Sequence, residues 1–243
     1  MVRLIEADYR DAAEYFSLEY ALATRPDAPE FYSFWQTPPT LMLGYNQSAA
    51  QEVDLAAALR RGVAIRRRRS GGGTIYTDGG TLQMTHLIPD SPDLSRQLAV
   101  ETGRLAAALC KLGIPAEFND RNDILVDGRK VSGAAGYGCG NRYLYHASLL
   151  WEVDPDAVGE LLTVDPGKLR RHGIRSVRQR MANLSHFTGL SFGEFAGRLR
   201  DELLPPEYET VSPAPTDEAA AREALKRTFG DRDWIMRGDA PDA

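Results

Sequence analysis

Three strand-like runs follow one another between residues 63 and 88, and clusters of glycine separate them. The runs, at residues 63–65, 74–76 and 82–88, are rich in the β-branched and aromatic residues that favour strands. Glycine clusters between such runs mark turns and loops. This segment predicts sheet strands joined by loops that expose their backbone, which is the strongest constraint that the sequence places on the fold.

Helical periodicity is found on both sides of this segment. Residues 11–24 carry apolar side chains on one predicted helical face and acidic side chains on the other, which indicates an amphipathic helix: Phe16, Tyr20 and Ala23 against Glu14 and Glu19. Four leucines between residues 98 and 112 recur at helical spacing, and Gly113 follows them as a C-terminal stop. We expect this second helix to pack on the sheet.

The second half of the chain begins with two predicted hairpins and continues with helices. Asp127-Gly128 and Gly140-Asn141 lie between strand-like runs, and Asp-Gly is strongly favoured in tight hairpin turns. Helix starts are then predicted where a capping side chain precedes proline or where a capping box occurs: Asp154-Pro155, Asp165-Pro166, and Ser191 with Glu194. Residues 205–215 are interpreted as a linker before a terminal helical segment at 216–243, whose helix covers about 216–229.

This order of elements predicts an α/β (α+β) fold with mixed, largely antiparallel sheets flanked by helices. A length of 243 residues with 43% hydrophobic residues is enough to bury one substantial core. We therefore expect one domain over residues 1–243.

Charge and composition exclude several function classes. The formal net charge of −5 argues against nucleic-acid binding, which needs a surplus of Lys and Arg on the binding face. No long uncharged apolar run or signal peptide is found, so no membrane association and a soluble, cytoplasmic protein are predicted. Cys110 and Cys139 are too few for a disulfide framework, and we expect no structural metal.

A basic, glycine-rich segment joins two of the predicted strands: Arg67-Arg68-Arg69-Ser70-Gly71-Gly72-Gly73-Thr74. Three consecutive residues without side chains allow backbone N–H groups to approach a phosphate, and the flanking arginines add fixed positive charge. A flexible turn after a solvated strand end is the alternative interpretation. The segment is not a Walker A loop, because no Gly-Lys-Ser/Thr follows it.

Two polar residues on predicted strands are candidates for chemistry. Lys130 lies just past the Asp127-Gly128 turn, where strand alternation can project it into a cleft while Val131 packs behind it. A lysine there places a point charge on a carboxylate and a phosphate at once, although a lysine beside a turn is more often a solvated surface charge. His146, alone on its strand, is more typical of a packed residue than of an acid-base group.

In their order and spacing these three segments resemble the lipoate-protein ligase family. That family's pattern is Arg-Arg-x-Ser-Gly-Gly-Gly, then Asn-Asp before a hairpin ending Arg-Lys-Val-Ser-Gly, then a His-small-x-Leu-Leu strand. The matching pieces here are residues 67–73, Asn122-Asp123, residues 129–133 and residues 146–150. The resemblance runs from the first helix to about residue 190 and includes further pieces upstream and downstream: Gly44, Gln47, Glu52, and residues 168–169, 173–180 and 183–184.

The resemblance implies a catalytic domain of the biotin/lipoate ligase type, with a class II synthetase-like fold. Its carboxylic acid substrate, lipoate or a related acid, would attack the α-phosphorus of ATP to give lipoyl-AMP, and a carrier lysine would then accept the acyl group. Lys130, which matches the family's invariant lysine, would be the catalytic residue that stabilises charge in both steps. Asp123 would orient Lys130 or bind Mg²⁺. His146 would be a pocket residue without a proton-transfer role.

The same match implies a binding site for ATP and lipoyl-AMP that combines the glycine loop, the hairpin and the histidine strand: Arg69, Ser70, Gly71, Gly72, Gly73, Thr74, Ile75, Asp78, Asn122, Asp123, Lys130, Ser132, Gly133, Ala134 and His146. Leu43, Tyr45 and Ile75 are candidates for the apolar slot that takes the acyl tail. The implied partner is a lipoyl carrier, either a lipoyl domain or a glycine cleavage H-like protein.

Departures from the family pattern keep alternatives open. Thr77 and Thr81 stand where the family usually has His and Asn, which puts the nucleotide contacts or the acyl group in question. Related octanoyl or lipoyl transferases and amidotransferases use a cysteine thioester, but Cys110 is interpreted as a core residue and Cys139 lies at a hairpin turn. A biotin ligase is disfavoured because Gly-Arg-Gly-Arg is absent. A non-catalytic subunit that binds lipoyl domains is disfavoured because Lys130 and the glycine triplet are present.

The end of the sequence suggests a need for a partner. Ligases of this family commonly carry an accessory C-terminal domain, and the segment from Phe229 to Pro241 resembles the place where the catalytic domain finishes. We expect no accessory domain in residues 1–243. A small separate accessory subunit is therefore predicted to assist the activation step.

Overall fold

The computed structural model describes residues 1–90, 93–119, 121–163 and 180–237. Within these ranges the strands are β1 (Val2–Ile5), β2 (Phe31–Trp35), β3 (Thr40–Leu43), β4 (Ala64–Arg67), β5 (Ile75–Thr77), β6 (Thr81–Ile88), β7 (Glu117–Phe118), β8 (Asp123–Val126), β9 (Arg129–Cys139), β10 (Arg142–Leu150) and β11 (Tyr208–Val211). The α-helices are α1 (Ala12–Ala23), α2 (Ala49–Glu52), α3 (Leu55–Arg60), α4 (Leu94–Lys111), α5 (Pro155–Leu161), α6 (Phe192–Leu203), α7 (Pro215–Ala224) and α8 (Arg232–Met236). A 3₁₀ turn at Leu184–Phe187 and a π-helical segment at Leu225–Phe229 complete the described elements.

The strands form a large and a small sheet. The large sheet has the order β11-β1-β2-β6-β10-β9-β8-β7, and the small sheet has the order β4-β3-β5. In the large sheet β1 pairs in parallel with β2 and β11, whereas the pairs from β2 to β7 are antiparallel. The predicted α/β class, with mixed, largely antiparallel sheets and flanking helices, is confirmed.

Turn chemistry fixes the hairpin that presents Lys130. Asp127 and Gly128 adopt φ values of 50° and 69°, and a type I′ turn requires positive φ at both of its central residues. β8 and β9 pair on either side of this turn, as the sequence predicts. A bulge shifts their register, so that Leu125 faces Lys130 while Ile124 faces Ser132.

The first helix is buried on nearly every side, which corrects one prediction. Asp11 and Glu14 form a capping box at the start of α1, and the apolar residues of the helix pack as expected. Glu19, predicted to face solvent opposite Phe16, is only 3% exposed. Its carboxylate instead points at two polar groups of the large sheet, so α1 is not amphipathic at this position.

The helix α4 packs on β9 and β10 and against α6. Leu105 and Leu109 are buried in the main core, as the leucine spacing predicts. Cys110, interpreted as a core residue, is exposed, and its thiol lies 3.3 Å from the carbonyl of Ala116, beyond the end of α4. The capping box between Ser191 and Glu194 at the start of α6 is confirmed.

The predicted linker at 205–215 contains a strand. Residues 208–211 pair in parallel with Val2–Ile5 and form the edge strand β11 of the large sheet. An edge strand pairs with a neighbour on one side only, and water can hydrogen-bond its other side. A polar, proline-flanked segment can therefore serve there. The helical character predicted after residue 216 is found in α7, the π-helical segment and α8.

Several predictions fall outside the described residues: the helix start at Asp165-Pro166, the matched residues 168–169 and 173–179, and the last residues from 238 onward. Within the described ranges, every helix falls short of the length and apolar character that crossing a membrane requires.

Candidate active site

A cavity of about 130 Å³ lies between the two sheets. Strands β2, β6, β9 and β10 of the large sheet line it, the small sheet contributes Met42 and Ile75, and α1 contributes Phe16. The remaining lining residues come from the glycine loop, from the loop before β8, from β9 and from the centre of the large sheet: Trp35, Arg68, Gly72, Gly73, Thr74, Gln83, Met84, Asn122, Lys130, Gly133, Ala134, Ala135, His146 and Ser148.

Strand register explains how distant residues meet at this cavity. Residues paired across neighbouring antiparallel strands point to the same face of a sheet. One row of such pairs crosses the large sheet through Gly133, Ser148, Gln83 and Trp35. The next row on the same face runs through Ala135, His146, Thr85 and Ser33. A polar strip of the central strands thus lies beside the apolar residues of β2 and β3.

Arg68 shapes the glycine loop from within. Its guanidinium is buried and donates hydrogen bonds to the carbonyls of Gly71 and Gly73 at 2.8 Å and to Ser70 Oγ at 3.0 Å. Gly72, between them, has a φ of 85°, a conformation that favours glycine. Burial lowers the pKa of Arg68 to about 10, so it stays charged at neutral pH. These hydrogen bonds hold the loop in one conformation around a positive charge, which disfavours the alternative interpretation as a flexible turn.

The glycine loop also needs Gly44 as a neighbour. A Cβ on Gly44 would lie 2.1 Å from the carbonyl oxygen of Gly72, so only glycine allows the two backbones to approach this closely. Arg67 holds the other side of this contact, because its buried guanidinium donates to the carbonyls of Gly44, Gln47 and Ile235. These contacts give Gly44 and Gln47, which the sequence comparison singled out, a structural role.

Lys130 lies opposite this loop and is held by Asp123. Its Nζ is 2.6 Å from Asp123 Oδ1, and the side chain is 34% exposed. Val131 packs in the core behind it, as predicted. A Cβ on Gly133 would lie 2.5 Å from Lys130 Nζ, so the lysine side chain occupies the space that a side chain at position 133 would take. The carboxylate of Asp123 and the absence of a side chain at Gly133 thus orient the Lys130 ammonium toward the cavity.

Asn119 and Asn122 organise the loop before β8. The side-chain oxygen of Asn119 accepts hydrogen bonds from three successive backbone N–H groups at residues 121–123, each at 3.1 to 3.2 Å. Asn122 Nδ2 donates to the carbonyl of Ala134 at 3.2 Å. Together they fix Asp123 at the position where it meets Lys130.

His146 belongs to a buried chain of hydrogen bonds. Its Nδ1 lies 3.1 Å from Ser70 Oγ, and its Nε2 lies 2.8 Å from Glu19 Oε2. Thr85 also donates to Glu19. If the Nε2 proton points at the carboxylate, Nδ1 can accept the Ser70 hydroxyl proton, and every group has a partner. Ser70 links this chain to Arg68, whose own hydrogen bonds go to neutral acceptors.

Most of the predicted binding residues surround the cavity, but some do not line it. Ser70 reaches it through His146 and Arg68, and Gly71 through its carbonyl. Arg69 lies over the ring of Tyr20, with its guanidinium carbon 4.7 Å from the ring centroid, so Arg68 is the arginine at the cavity. Strand β4 ends at residue 67, and carbonyl acceptors rather than strand alternation decide which guanidinium turns inward.

Two further predicted binding residues point elsewhere. Asp78 accepts a hydrogen bond from the N–H of Gly80 at 2.8 Å and shapes the turn between β5 and β6. Ser132 is 1% exposed and lies on the opposite face of β9 from Gly133. Neither residue lines the cavity.

One of the three residues expected to form the apolar slot for the acyl tail lines the cavity, and two do not. Ile75 lines the cavity, whereas Leu43 packs in the second core cluster and Tyr45 contacts the ring of Trp234. The apolar lining comes instead mainly from three other residues: Phe16, Trp35 and Met42. Thr77 and Thr81, which replace the family's His and Asn, are fully buried and do not line the cavity.

Neither Cys110 nor Cys139 lines the cavity. Cys139 ends β9, where its thiol lies 3.6 Å from the carbonyl of Ala23, and burial raises its pKa. A raised pKa reduces the thiolate that a nucleophile needs. Among the residues that the structure describes, no three His, Cys, Asp or Glu side chains gather where they could hold a metal ion.

Sequence reasoning missed four residues of this site: Arg68, Glu19, Gln83 and Asn119. Arg68 lay within the basic segment, but the motif singled out its neighbour Arg69. The sequence around Glu19 and Gln83 did not indicate their partners, which are 127 and 65 residues away along the chain. Asn119 lies four residues before Asp123, and the affinity of Asn for such turns is a signal that could have indicated it.

Comparison with protein families gives one match over most of the chain. The model of the lipoyl protein ligase A/B catalytic domain matches residues 11–204. This span includes the glycine loop, the lysine hairpin and the histidine strand.

Individual relatives fall into two groups by length. The chain is 34% identical over 225 residues to lipoate-protein ligase LplJ of Bacillus subtilis, covering 89% of this chain and 67% of that protein. It is 34% identical over 169 residues to lipoate–protein ligase 1 of Staphylococcus aureus, covering 70% of this chain and 52% of that protein. It is 29% identical over 240 residues to lipoate-protein ligase A subunit 1 of Thermoplasma acidophilum, covering 93% of this chain and 89% of that subunit. The chain thus spans about half to two thirds of the first two relatives but most of the third.

Solved structures share the fold. A chain of the bipartite lipoate protein ligase from Thermoplasma acidophilum, studied with its E2 lipoyl domain, superposes with a TM-score of 0.87 at 24% identity and covers 99% of this chain and 98% of its own. A lipoate-protein ligase A bound with ATP gives a TM-score of 0.83 at 24% identity, covering 97% and 98%. A Thermoplasma acidophilum protein with bound lipoic acid gives 0.83 at 24% identity, covering 96% and 98%.

Proposed function

The chain belongs to the lipoyl protein ligase A/B catalytic-domain family, and we propose that it is the catalytic part of a lipoate-protein ligase that joins lipoate to a carrier lysine through lipoyl-AMP. One observation carries the proposal. Lys130, fixed by Asp123, and the positively charged glycine loop face each other across a cavity whose other lining is largely apolar. This arrangement suits an acid with an apolar tail whose carboxylate must meet a phosphate.

Binding would divide the ligands between the two halves of the cavity. Arg68 and the backbone N–H groups of residues 71–74 offer positive potential to the phosphates of ATP. The apolar residues Trp35 and Met42 offer a surface for the acyl tail. Solved relatives with ATP and with lipoic acid support this choice of ligands.

In the first step a carboxylate oxygen of lipoate attacks the α-phosphorus of ATP. A new oxygen–phosphorus bond forms as the bond to the pyrophosphate oxygen breaks, and pyrophosphate leaves. Lys130 lies where its ammonium can bind the carboxylate and an α-phosphate oxygen, and it stabilises the charge that accumulates on the phosphate oxygens in the transition state. Asp123 keeps the ammonium aimed at this point.

In the second step the neutral amine of a carrier lysine attacks the acyl carbon of lipoyl-AMP. The bond between the acyl carbon and the phosphate oxygen breaks, AMP leaves with the electron pair, and the amine loses its extra proton to solvent. Lys130 again stabilises the oxygens that gain charge. No thiol takes part, which fits the raised pKa of the Cys139 thiol.

A Mg²⁺ ion accompanying ATP would be held in this site mainly by the phosphates of ATP. Mg²⁺ is usually bound through one or two carboxylates together with substrate phosphates and water. Asp123 is the carboxylate at hand, and Lys130 already pairs with it at 2.6 Å. When bound, the ion neutralises phosphate charge, while the orientation of Lys130 is the role that the geometry favours for Asp123.

The carrier is proposed to be a lipoyl domain, the partner studied with the bipartite Thermoplasma ligase, or a glycine cleavage H-like protein. We also propose that activation requires a second ligase subunit or domain outside this chain. The support is similarity: a Thermoplasma relative is named as subunit 1 of a ligase and is 89% covered by this chain, and a solved Thermoplasma ligase of the same fold is bipartite. Carrier lipoylation from lipoate and MgATP would then be slow for the chain alone, and presynthesised lipoyl-AMP would restore it.

A binding experiment tests the proposed site without requiring the second subunit. Calorimetry with lipoyl-AMP should show binding to the wild-type chain and a large loss of affinity in Lys130→Ala. Lys111→Ala is the matched control, because Lys111 is an exposed lysine at the end of α4 whose removal should leave binding unchanged. Absence of lipoyl-AMP binding to the wild-type chain would contradict the proposed function.

A further inference from the structure

Gln83 is a buried amide that no motif indicated and that the reaction described above does not use. It lies on β6 and is only 4% exposed, yet its side chain lines the cavity. Ser148 Oγ donates a hydrogen bond to Gln83 Oε1 at 2.6 Å. The amide nitrogen of Gln83 has no hydrogen-bond partner among the residues that the structure describes.

A buried donor in this state needs an acceptor. Nearly all buried polar groups in proteins are paired, and leaving one unpaired costs about 1–3 kcal/mol. Ser148 fixes the amide oxygen on one side, which leaves the nitrogen for another partner. Because Gln83 lines the cavity, a ligand in the cavity can supply that partner.

The strand register shows which part of a ligand lies there. Gln83 is in the row that continues through Ser148 to Gly133, and Lys130 Nζ lies directly over Gly133. Neighbouring strands are about 4.8 Å apart, so Gln83 lies roughly two strand spacings from Gly133, and its side chain can shorten that distance. The group bound by Lys130 is therefore within reach of Gln83.

The other neighbours of Gln83 exclude a phosphate and the acyl tail as the acceptor for its amide nitrogen. On its far side the row continues to Trp35, and the lining there is apolar, with Phe16 and Met42. A phosphate on that side would be buried without a compensating charge. The sulfur and methylene groups of an acyl tail are weak acceptors or none. A carboxyl oxygen lies where the charged end of the acid meets its apolar tail, and it is the acceptor that fits both surroundings.

We propose that Gln83 is a specificity-determining residue whose amide nitrogen donates a hydrogen bond to the carboxyl oxygen of the acid, and to the same oxygen in the acyl adenylate. This inference rests on the proposed function, since it assumes that the carboxylate is bound by Lys130. The contact is with an oxygen common to carboxylic acids, so it selects for an acid at this point and is indifferent to the tail.

The test replaces the donor while keeping the shape. Gln83→Met has nearly the same length and volume but no donor, and it should weaken binding of both lipoate and octanoate by the same factor, about 10- to 100-fold. Binding of ATP, measured by calorimetry, should be unchanged and also reports that the variant is folded. Gln51→Met, at an exposed glutamine on α2, is the matched control and should leave both affinities unchanged.

A second variant keeps the inference falsifiable if Gln83→Met fails to fold. Gln83→Glu retains an oxygen that can accept from Ser148 but places a negative charge against the carboxylate, so it should weaken the acids at least as much as Gln83→Met while ATP binding persists. Unchanged affinity for lipoate in a folded variant would overturn the inference.

The pattern of losses separates the competing explanations. A loss confined to ATP would assign Gln83 to the nucleotide, and a loss for lipoate without one for octanoate would assign it to the tail. Either result would overturn the contact with the carboxyl oxygen. Failure of the wild-type chain to bind both lipoate and lipoyl-AMP would instead contradict the proposed function and this inference with it.

Discussion

A single methyl group added at position 133 should separate catalysis from stability in this protein. The Cβ of Gly133→Ala would lie 2.5 Å from Lys130 Nζ and 2.7 Å from its Cε, where ordinary contacts begin at 3.4 Å. The ammonium must therefore move by roughly 1 Å, and a misplacement of that size can cost about 10²-fold in rate. This movement should also weaken the ion pair between Lys130 and Asp123, whose Oδ1 lies 2.6 Å from Nζ in the wild type.

The fold should tolerate the same change. The atoms displaced are the end of a flexible side chain rather than backbone, so we expect the free energy of unfolding to change by less than about 1 kcal/mol. The assay is single-turnover transfer from lipoyl-AMP to a carrier domain, with urea denaturation run in parallel. Gly159→Ala, at an exposed position on α5 where an added Cβ meets nothing within 4 Å, is the control. Transfer by Gly133→Ala at the wild-type rate would refute the claim that the position of Lys130 matters.

Three further changes test other parts of the account. Cys139→Ser and Cys110→Ala should both keep transfer activity, because attack on an adenylate needs no thiol; an acyl thioester trapped on either cysteine and seen by mass spectrometry would move the protein to the transferase class. Glu19→Leu should lower the free energy of unfolding by roughly 1–3 kcal/mol in urea denaturation, because it leaves buried donors without an acceptor; an unchanged midpoint would rule out the buried network as a stabilising feature. Although burial alone raises it, hydrogen bonds from Arg66 and the backbone hold the pKa of the Asp11 carboxyl below its usual 3.8. The carboxylate therefore stabilises the fold above that pH and loses this effect as pH falls through its lowered pKa, so Asp11→Asn should flatten the acid side of a stability-versus-pH curve, and an unchanged slope would contradict this.

The parts of the site that sequence reasoning could predict are those set by local rules. Turn chemistry at Asp127-Gly128 fixes the hairpin, and strand geometry then sends Lys130 to the cavity while Val131 packs in the core. The glycine triplet predicts exposed backbone wherever the loop is placed. Each of these features depends on residues within a few positions of one another.

Glu19 shows where such rules fail. Helical periodicity groups it with Glu14 on a polar face, and a glutamate on a helix is usually solvated. Its position is decided instead by His146, 127 residues away, which needs an acceptor at that point of the sheet. No pattern within α1 contains that information.

Gln83 was hidden for a different reason. Thr81, Gln83 and Thr85 alternate with the apolar Leu82 and Met84, so the sequence of β6 separates two faces, but all its residues except the last are buried. Which of the two buried faces meets the cavity is known only from the register with β10 and β2. The same argument applies to Arg68, whose direction depends on carbonyl acceptors contributed by Met42 and the glycine loop.

The central claim is that the chain transfers the acyl group of an adenylate to a carrier lysine, and that Lys130 stabilises the charge that develops during this transfer. Its most direct test is the intact mass of a lipoyl domain after incubation with this chain and lipoyl-AMP, compared with lipoyl-AMP alone. We predict the gain of one lipoyl group per domain with the wild-type chain and with Lys111→Ala, and only the uncatalysed background with Lys130→Ala. An equal gain with Lys130→Ala, or none above background with the wild-type chain, would contradict the account.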